Sequence, residues 1–297
     1  MSNDLVLSEQ HGHVRLLTFN RVDKRNAFNN PMYRATTAAL QAALDDPGTR
    51  VVVITGAGET FCAGQDFSEM NTDEGADHGF PACLRTLIDF DKPIVTAVNG
   101  VGIGLGLTIL LHTDVNYIAE GARLRAPFVT LGVVPEAASS LLLPIVVGQQ
   151  RAAELLFTAR WIDAAESAAM GLTYAVVPRE RLLETAMAKA AEIAANPPSA
   201  VRHTKRLMRT WRRQAILDAR QREDEAFAER LGTPENMEAI AAFFERRPAK
   251  FEEKTITTEA RRHGGEQDRS VSPCRRGDGF QEILRQSGGR VRYRSCA

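Results

Sequence analysis

The sequence predicts an α/β fold of parallel strands joined by right-handed crossovers, followed by a helical C-terminal region. Three observations carry this. Short runs of apolar and β-branched residues recur through the first two thirds of the chain. Stretches of helical period separate them. From about Asp163 the helical signal takes over. Repeated alternation of this kind implies parallel strands with helices on their faces.

The elements follow in order. VRLLTFN (residues 14–20) reads as a strand. Asn30-Pro31 opens a helix, with Asn as the cap and Pro at the first position, and Ala and Leu follow at helical spacing to Leu44. RVVVITG (50–56) is a buried strand ending in glycine; KPIVTAVNG (92–100) is another and DVNYIA (114–119) a third. Residues 199–231 form a long, charged, amphipathic helix. Residues 234–251 form a second helical unit, whose Ile240, Phe243 and Phe244 make an apolar stripe suited to packing within the subunit or against a neighbour. The expected organisation is a core over 1–198, a C-terminal helical region over 199–253, and a tail over 254–297.

The tail differs in character. It has ten Lys or Arg against five Asp or Glu, many glycines and little periodicity. It reads as a disordered appendage rather than a nucleic-acid-binding arm. A shifted reading frame after about Glu253 would account for it; sequencing the gene and weighing the intact protein test that.

Composition excludes several classes. The 297 residues carry 37 basic and 37 acidic groups, so no overall field attracts nucleic acid. No apolar run reaches spanning length, and the polar start lacks a signal peptide's regions. A cytoplasmic protein without membrane or nucleic-acid partners is the expectation. Cys62, Cys83, Cys274 and Cys296 have no metal-ligand spacing. His11 and His13 read as a solvated pair before a strand, so no metal is expected.

Two glycine-rich stretches follow strands: GETFCAGQDFSEM (58–70) and NGVGIGLGLTILLHTD (99–114). The second offers no GxGxxG at any offset, and the chain has neither a P-loop nor a GxSxG elbow. Alternating glycines fit tight helix–strand packing. They equally fit close ligand approach, with two N–H donors aimed at one point as an oxyanion site requires. A third stretch, TLGVVPEAASSLLLPIVVG (130–148), holds one charged residue, Glu136. Pro135-Glu136 reads locally as the first turn of a helix.

These stretches carry a family resemblance. FCAGQDFSEM (61–70) together with residues 92–140 resembles the crotonase family, the enoyl-CoA hydratase/isomerase superfamily. DKRNAF (23–28) is similar to that family's early CoA-loop segment, and AFFERRPAKF (242–251) to its C-terminal end. The resemblance covers four blocks in order over residues 14–251, and the tail lies outside it. It implies a superhelical core of repeated ββα turns with a C-terminal helical trimerisation region, hence a homotrimer or a dimer of trimers. It implies an acyl-CoA thioester as substrate, with coenzyme A entering only as part of that substrate and no separate cofactor.

The resemblance also implies site residues. The backbone N–H groups of Ala63 and Leu105 would hold the thioester oxygen as an enolate. Arg25, Ala27, Ala63, Gly64, Gln65, Asp66 and Gly104 would contact substrate, and Arg246 would reach a neighbouring subunit's ligand. Asp66 also suits a simple helix cap. Hydratases of the family use two glutamates; the matching positions here are Thr108 and Phe128, and neither is a competent acid or base near neutral pH. Glu136, followed by Ser139 and Ser140, is similar to the sole catalytic glutamate of the Δ3,Δ2-enoyl-CoA isomerase branch of fatty-acid β-oxidation. Leu131, Val133, Val134 and residues 141–143 are candidates for a dry wall that raises its pKa, while a helix N-terminus would oppose that. Double-bond isomerisation by Glu136 is the leading expectation. Hydration or another crotonase chemistry, and a non-catalytic acyl-CoA-binding subunit, are the alternatives.

Overall fold

The computed structural model describes residues 4–66 and 79–251. The expected tail, 254–297, lies outside the described residues, as does any helix that Asp66 would cap. Strand β1 (Val6–His11) pairs antiparallel with β2 (Val14–Phe19) through a turn in which Gly12 takes φ 58°. His11 and His13 at this turn are exposed, and His13 Nδ1 lies 3.0 Å from the Gly48 carbonyl. Helix α1 (Asn30–Asp45) starts one residue earlier than expected. Asn29, not Asn30, is the cap: its side chain accepts from the Met32 N–H. The Asn30 side chain instead accepts from the Gly79 N–H at 3.1 Å.

A two-strand, one-helix unit then repeats. β3 (Val51–Gly56) leads to β4 (Thr60–Cys62) and α2 (Gly79–Asp89). β5 (Ile94–Val98) leads to β6 (Val101–Ile103) and the short α3 (Leu105–Thr108). β7 (Val115–Ala119) leads to β8 (Arg123–Arg125), α4 (Ser139–Val147) and α5 (Gln149–Thr158). β9 (Ile162–Asp163), α6 (Ala164–Ala169), β10 (Ala175–Val177) and α7 (Leu182–Ala194) complete the core. The first strand of each unit joins a six-stranded sheet, β1-β2-β3-β5-β7-β10, parallel from β2 onward. The second strand joins a four-stranded sheet, β4-β6-β8-β9. Every residue of β3 and β5 is buried, as expected for parallel strands covered on both faces.

Helix α8 (Pro198–Arg230) follows, then α9 (Pro234–Glu245). The described residues divide into two compact units: those up to 129 together with 135–225, and 130–134 together with 226–251. The division therefore falls inside α8. Within the second unit Asn236 ties the segments together: its Nδ2 donates to the Leu131 carbonyl at 2.7 Å, and a Cβ on Gly132 would lie 2.6 Å from Asn236 Cα. Of the expected apolar stripe, Ile240 is buried, whereas Phe243 and Phe244 are exposed. No helix among the described residues is long and apolar enough to cross a membrane.

Candidate active site

The two glycine-rich loops touch each other. An ideal Cβ on Gly64 would lie 2.9 Å from the Ile103 carbonyl oxygen. The alternating glycines divide their work. A Cβ would meet Glu59 O at 1.8 Å from Gly100, and Cys62 O at 2.4 Å from Gly106, so these two serve close packing on β4. Gly104 instead takes φ 53° at the start of α3, where its carbonyl accepts the Leu107 and Thr108 N–H groups, both at 2.9 Å. The packing reading of the glycine pattern therefore holds at Gly100 and Gly106.

The N–H groups require one correction. Ala63 N–H is engaged: it donates to the Arg25 carbonyl at 3.1 Å. It is therefore not an open donor. Beyond it the chain forms a parallel bridge with Phe28, in which Phe28 N–H donates to Gly64 O at 2.7 Å and Asp66 N–H to Phe28 O at 2.8 Å. Because backbone groups alternate sides along an extended chain, the Gln65 N–H points away from Phe28. Neither it nor the Leu105 N–H, at the first turn of α3, has an acceptor among the described residues. The open pair is Gln65 and Leu105.

The other expected contact residues sort as follows. Arg25 is exposed and, with Asn26, left-handed (φ 53° and 56°). Buried Asn26 pins this loop by donating to Ala57 O and Thr60 O at 3.0 and 2.7 Å. Ala27 is buried beside them. The Gln65 side chain accepts from the Tyr33 hydroxyl at 2.7 Å, and Asp66 pairs with Arg21 at 2.6 Å. Arg246 belongs to the second unit, where it ends α9 in a left-handed conformation, exposed.

Glu136 does not lie in the first turn of a helix. α4 begins at Ser139, and Ala137 and Ala138 before it are both left-handed at φ 58°. The turn is closed by Ser139, whose N–H and Oγ donate to the Glu136 carbonyl at 3.0 and 2.6 Å. The Glu136 carboxylate accepts from Thr108 Oγ1 at 2.9 Å. Glu136 is half-buried as a residue, and desolvation of its carboxylate raises its pKa from 4.5 to about 7, against the lowering effect of the Thr108 bond; Glu223 and Asp224 push it up further. Desolvation is the largest of these effects, and Glu136 lies outside the first turn of α4. The amides at the start of α4 are taken by Glu223 of α8, which accepts from Ala138 N–H at 2.6 Å and from Ser140 N–H and Oγ at 2.8 and 2.5 Å. His112 Nε2 lies 2.8 Å from the Ala137 carbonyl, and burial lowers its pKa to about 4, so the ring is neutral and donates there.

An apolar pocket opens beside these groups. Phe28, Tyr33, Leu87, Leu105, Ile109 and Ala137 are among the residues that line it. Cys62 and Cys83 are not nucleophiles, because burial pushes both thiols up to about 12. Phe128 is buried and offers no exchangeable proton. Of the residues expected to form a dry wall, Val133, Leu142 and Leu143 are buried, whereas Leu131, Val134 and Leu141 are only half-buried. The sequence reading missed the roles of Glu223 and His112; one buried carboxylate in a charged helix leaves no local signal.

Strand–strand–helix turns winding two sheets, glycine loops in contact, and a desolvated carboxylate beside an apolar pocket define the crotonase class of α/β enzymes. The family model for enoyl-CoA hydratase/isomerase matches residues 9–254. On that match the chain belongs to the enoyl-CoA hydratase/isomerase family. It is 35% identical over 248 residues to a short-chain-enoyl-CoA hydratase of Clostridium acetobutylicum, covering 82% of this chain and 95% of that one. It is 32% identical over 251 residues to enoyl-CoA delta isomerase 2 of Rattus norvegicus, covering 82% of this chain and 64% of the relative. A crystal structure of an enoyl-CoA hydratase/isomerase from Pseudoalteromonas atlantica superposes with a TM-score of 0.81 at 38% identity, covering 84% of this chain and all of that one.

Proposed function

We propose that the protein isomerises 3-enoyl-CoA thioesters to the 2-trans form with Glu136 as the only proton carrier. The observation that carries this reading is the desolvated Glu136 carboxylate, held by Thr108 at the position where a second acid would otherwise stand. A pKa of about 7 suits a group that must be base and acid in one cycle near neutral pH.

The steps balance with one group. Ionised Glu136 takes a proton from C2, and the C–H electron pair passes into a dienolate with its charge on the thioester oxygen. The Gln65 and Leu105 N–H groups receive that oxygen; each such donor typically contributes about 3 kcal/mol. Protonated Glu136 then returns the proton to C4, and the double bond settles between C2 and C3. Phe28 and Leu87 are apolar side chains available to the acyl chain. Arg25, exposed at the loop mouth, is available to the coenzyme A phosphates.

Hydration is the second reading, favoured by the name of the Clostridium relative. Against it stand Thr108 and Phe128, which supply no second acid or base. The test is turnover of 3-hexenoyl-CoA deuterated at C2. Deuterium delivered to C4 by the wild type, and inactivity of Glu136→Gln, support the shuttle. A Glu136→Gln enzyme with the full rate overturns it.

A further inference from the structure

We propose that Glu223 is a positioning residue: it holds the turn from Glu136 to Ser140 in the shape that presents the Glu136 carboxylate. The inference rests on Glu136 being the proton carrier.

The turn cannot hold itself. Ala137 and Ala138 are both left-handed, a conformation that a residue with a Cβ adopts only under constraint. Neither is Gly or Asn, and both are buried. The constraint comes from three directions. His112 reaches the Ala137 carbonyl at 2.8 Å, and Ser139 folds back on the Glu136 carbonyl. The largest share is the Glu223 carboxylate, itself 6% exposed, which accepts three hydrogen bonds from Ala138 and Ser140. It reaches them across 83 to 85 positions of sequence, so α8 fixes a turn of the catalytic core.

The same carboxylate takes the two amide donors at the start of α4 that would otherwise favour an anion there. Among the described residues Glu136 keeps one side-chain donor, Thr108, and has a like charge for a neighbour. The groups facing Glu136 are Tyr33 of α1, Cys62 of β4, Thr108 of α3, and Glu223 and Asp224 of α8. Asp224 is paired with Arg220 at 3.3 Å. Glu223 thus acts on Glu136 twice, through the shape of the turn and through its charge.

The experiment compares wild type, Glu223→Gln, Ser140→Ala and Glu136→Gln on 3-hexenoyl-CoA across pH. Glutamine at 223 presents an NH2 group to at least one donor and removes the charge. We expect kcat to fall on the order of 100-fold with KM little changed, and the acid limb of kcat to move to lower pH. Residual activity with the limb unmoved and kcat unchanged overturns the proposal. A purely structural role would lower the melting temperature without moving the limb, and that result also overturns it. Should Glu223→Gln not fold, Ser140→Ala decides: it removes one of the three hydrogen bonds and keeps the charge. A smaller fall in kcat supports the anchor, and wild-type kcat refutes it. Glu136→Gln separates the two claims. If it is inactive while Glu223→Gln matches wild type, only the anchor fails; if it is fully active, the proposed function fails.

Discussion

Replacing Glu136 by glutamine should make the fold more stable in the same stroke that stops the chemistry. Burial lifts the Glu136 pKa from 4.5 to about 7. Between those values the folded protein keeps a proton that the unfolded chain has released. Stability therefore falls as pH rises through that window and is level above it. At 1.36 kcal/mol per pH unit, the full cost of ionising Glu136 in place is roughly 3 kcal/mol. Glutamine is neutral at every pH, matches the protonated side chain in shape, and still accepts from Thr108 Oγ1, 2.9 Å away in the wild type. The variant should exceed wild type by little at pH 5 and by up to about 3 kcal/mol at pH 8, a gain of roughly 2–4 °C in Tm per kcal/mol for a chain of this size. Thermal unfolding followed by circular dichroism at both pH values, at equal protein concentration, reads the difference. An equal shift at both pH values, or a less stable variant at pH 8, refutes the claim that Glu136 is held at the expense of the fold.

Three further outcomes follow from the same geometry. Thr108→Val removes the hydrogen bond that lowers the Glu136 pKa, so the acid limb of the rate profile should move to higher pH, with activity reduced at pH 7 and recovered at high pH; an unmoved limb contradicts this. Ala138→Gly relieves a left-handed alanine and should raise the urea midpoint by an amount worth up to about 1 kcal/mol, whereas a lower midpoint would deny the strain. Gly106→Ala places a Cβ 2.4 Å from the Cys62 carbonyl, and should cost about 1–3 kcal/mol in stability and lower kcat; an unaffected enzyme would show that the loops tolerate separation.

The long strands were legible because fully buried parallel strands need unbroken apolar runs, and β3 and β5 have them. The second sheet was not, since β4, β6 and β8 are three residues each, too short to carry a period. Glu136 stood out as a lone charge, yet its helix was placed four residues too early. Two left-handed alanines leave no mark in composition. The open N–H was placed at Ala63 rather than Gln65 because the direction of each amide depends on which strand it bridges, here Phe28, and spacing does not encode that. Glu223 was invisible because its partners lie 83 to 85 residues away.

The most direct test of the central claim is a side-by-side assay of pure wild type and Glu136→Gln, with 3-hexenoyl-CoA as isomerase substrate and 2-trans-hexenoyl-CoA as hydratase substrate. The proposed one-carboxylate shuttle predicts isomerisation well above hydration in the wild type, and a loss of isomerisation on the order of 10²–10⁴-fold in the variant. Hydration faster than isomerisation in the wild type, or a variant that isomerises at the wild-type rate, contradicts it.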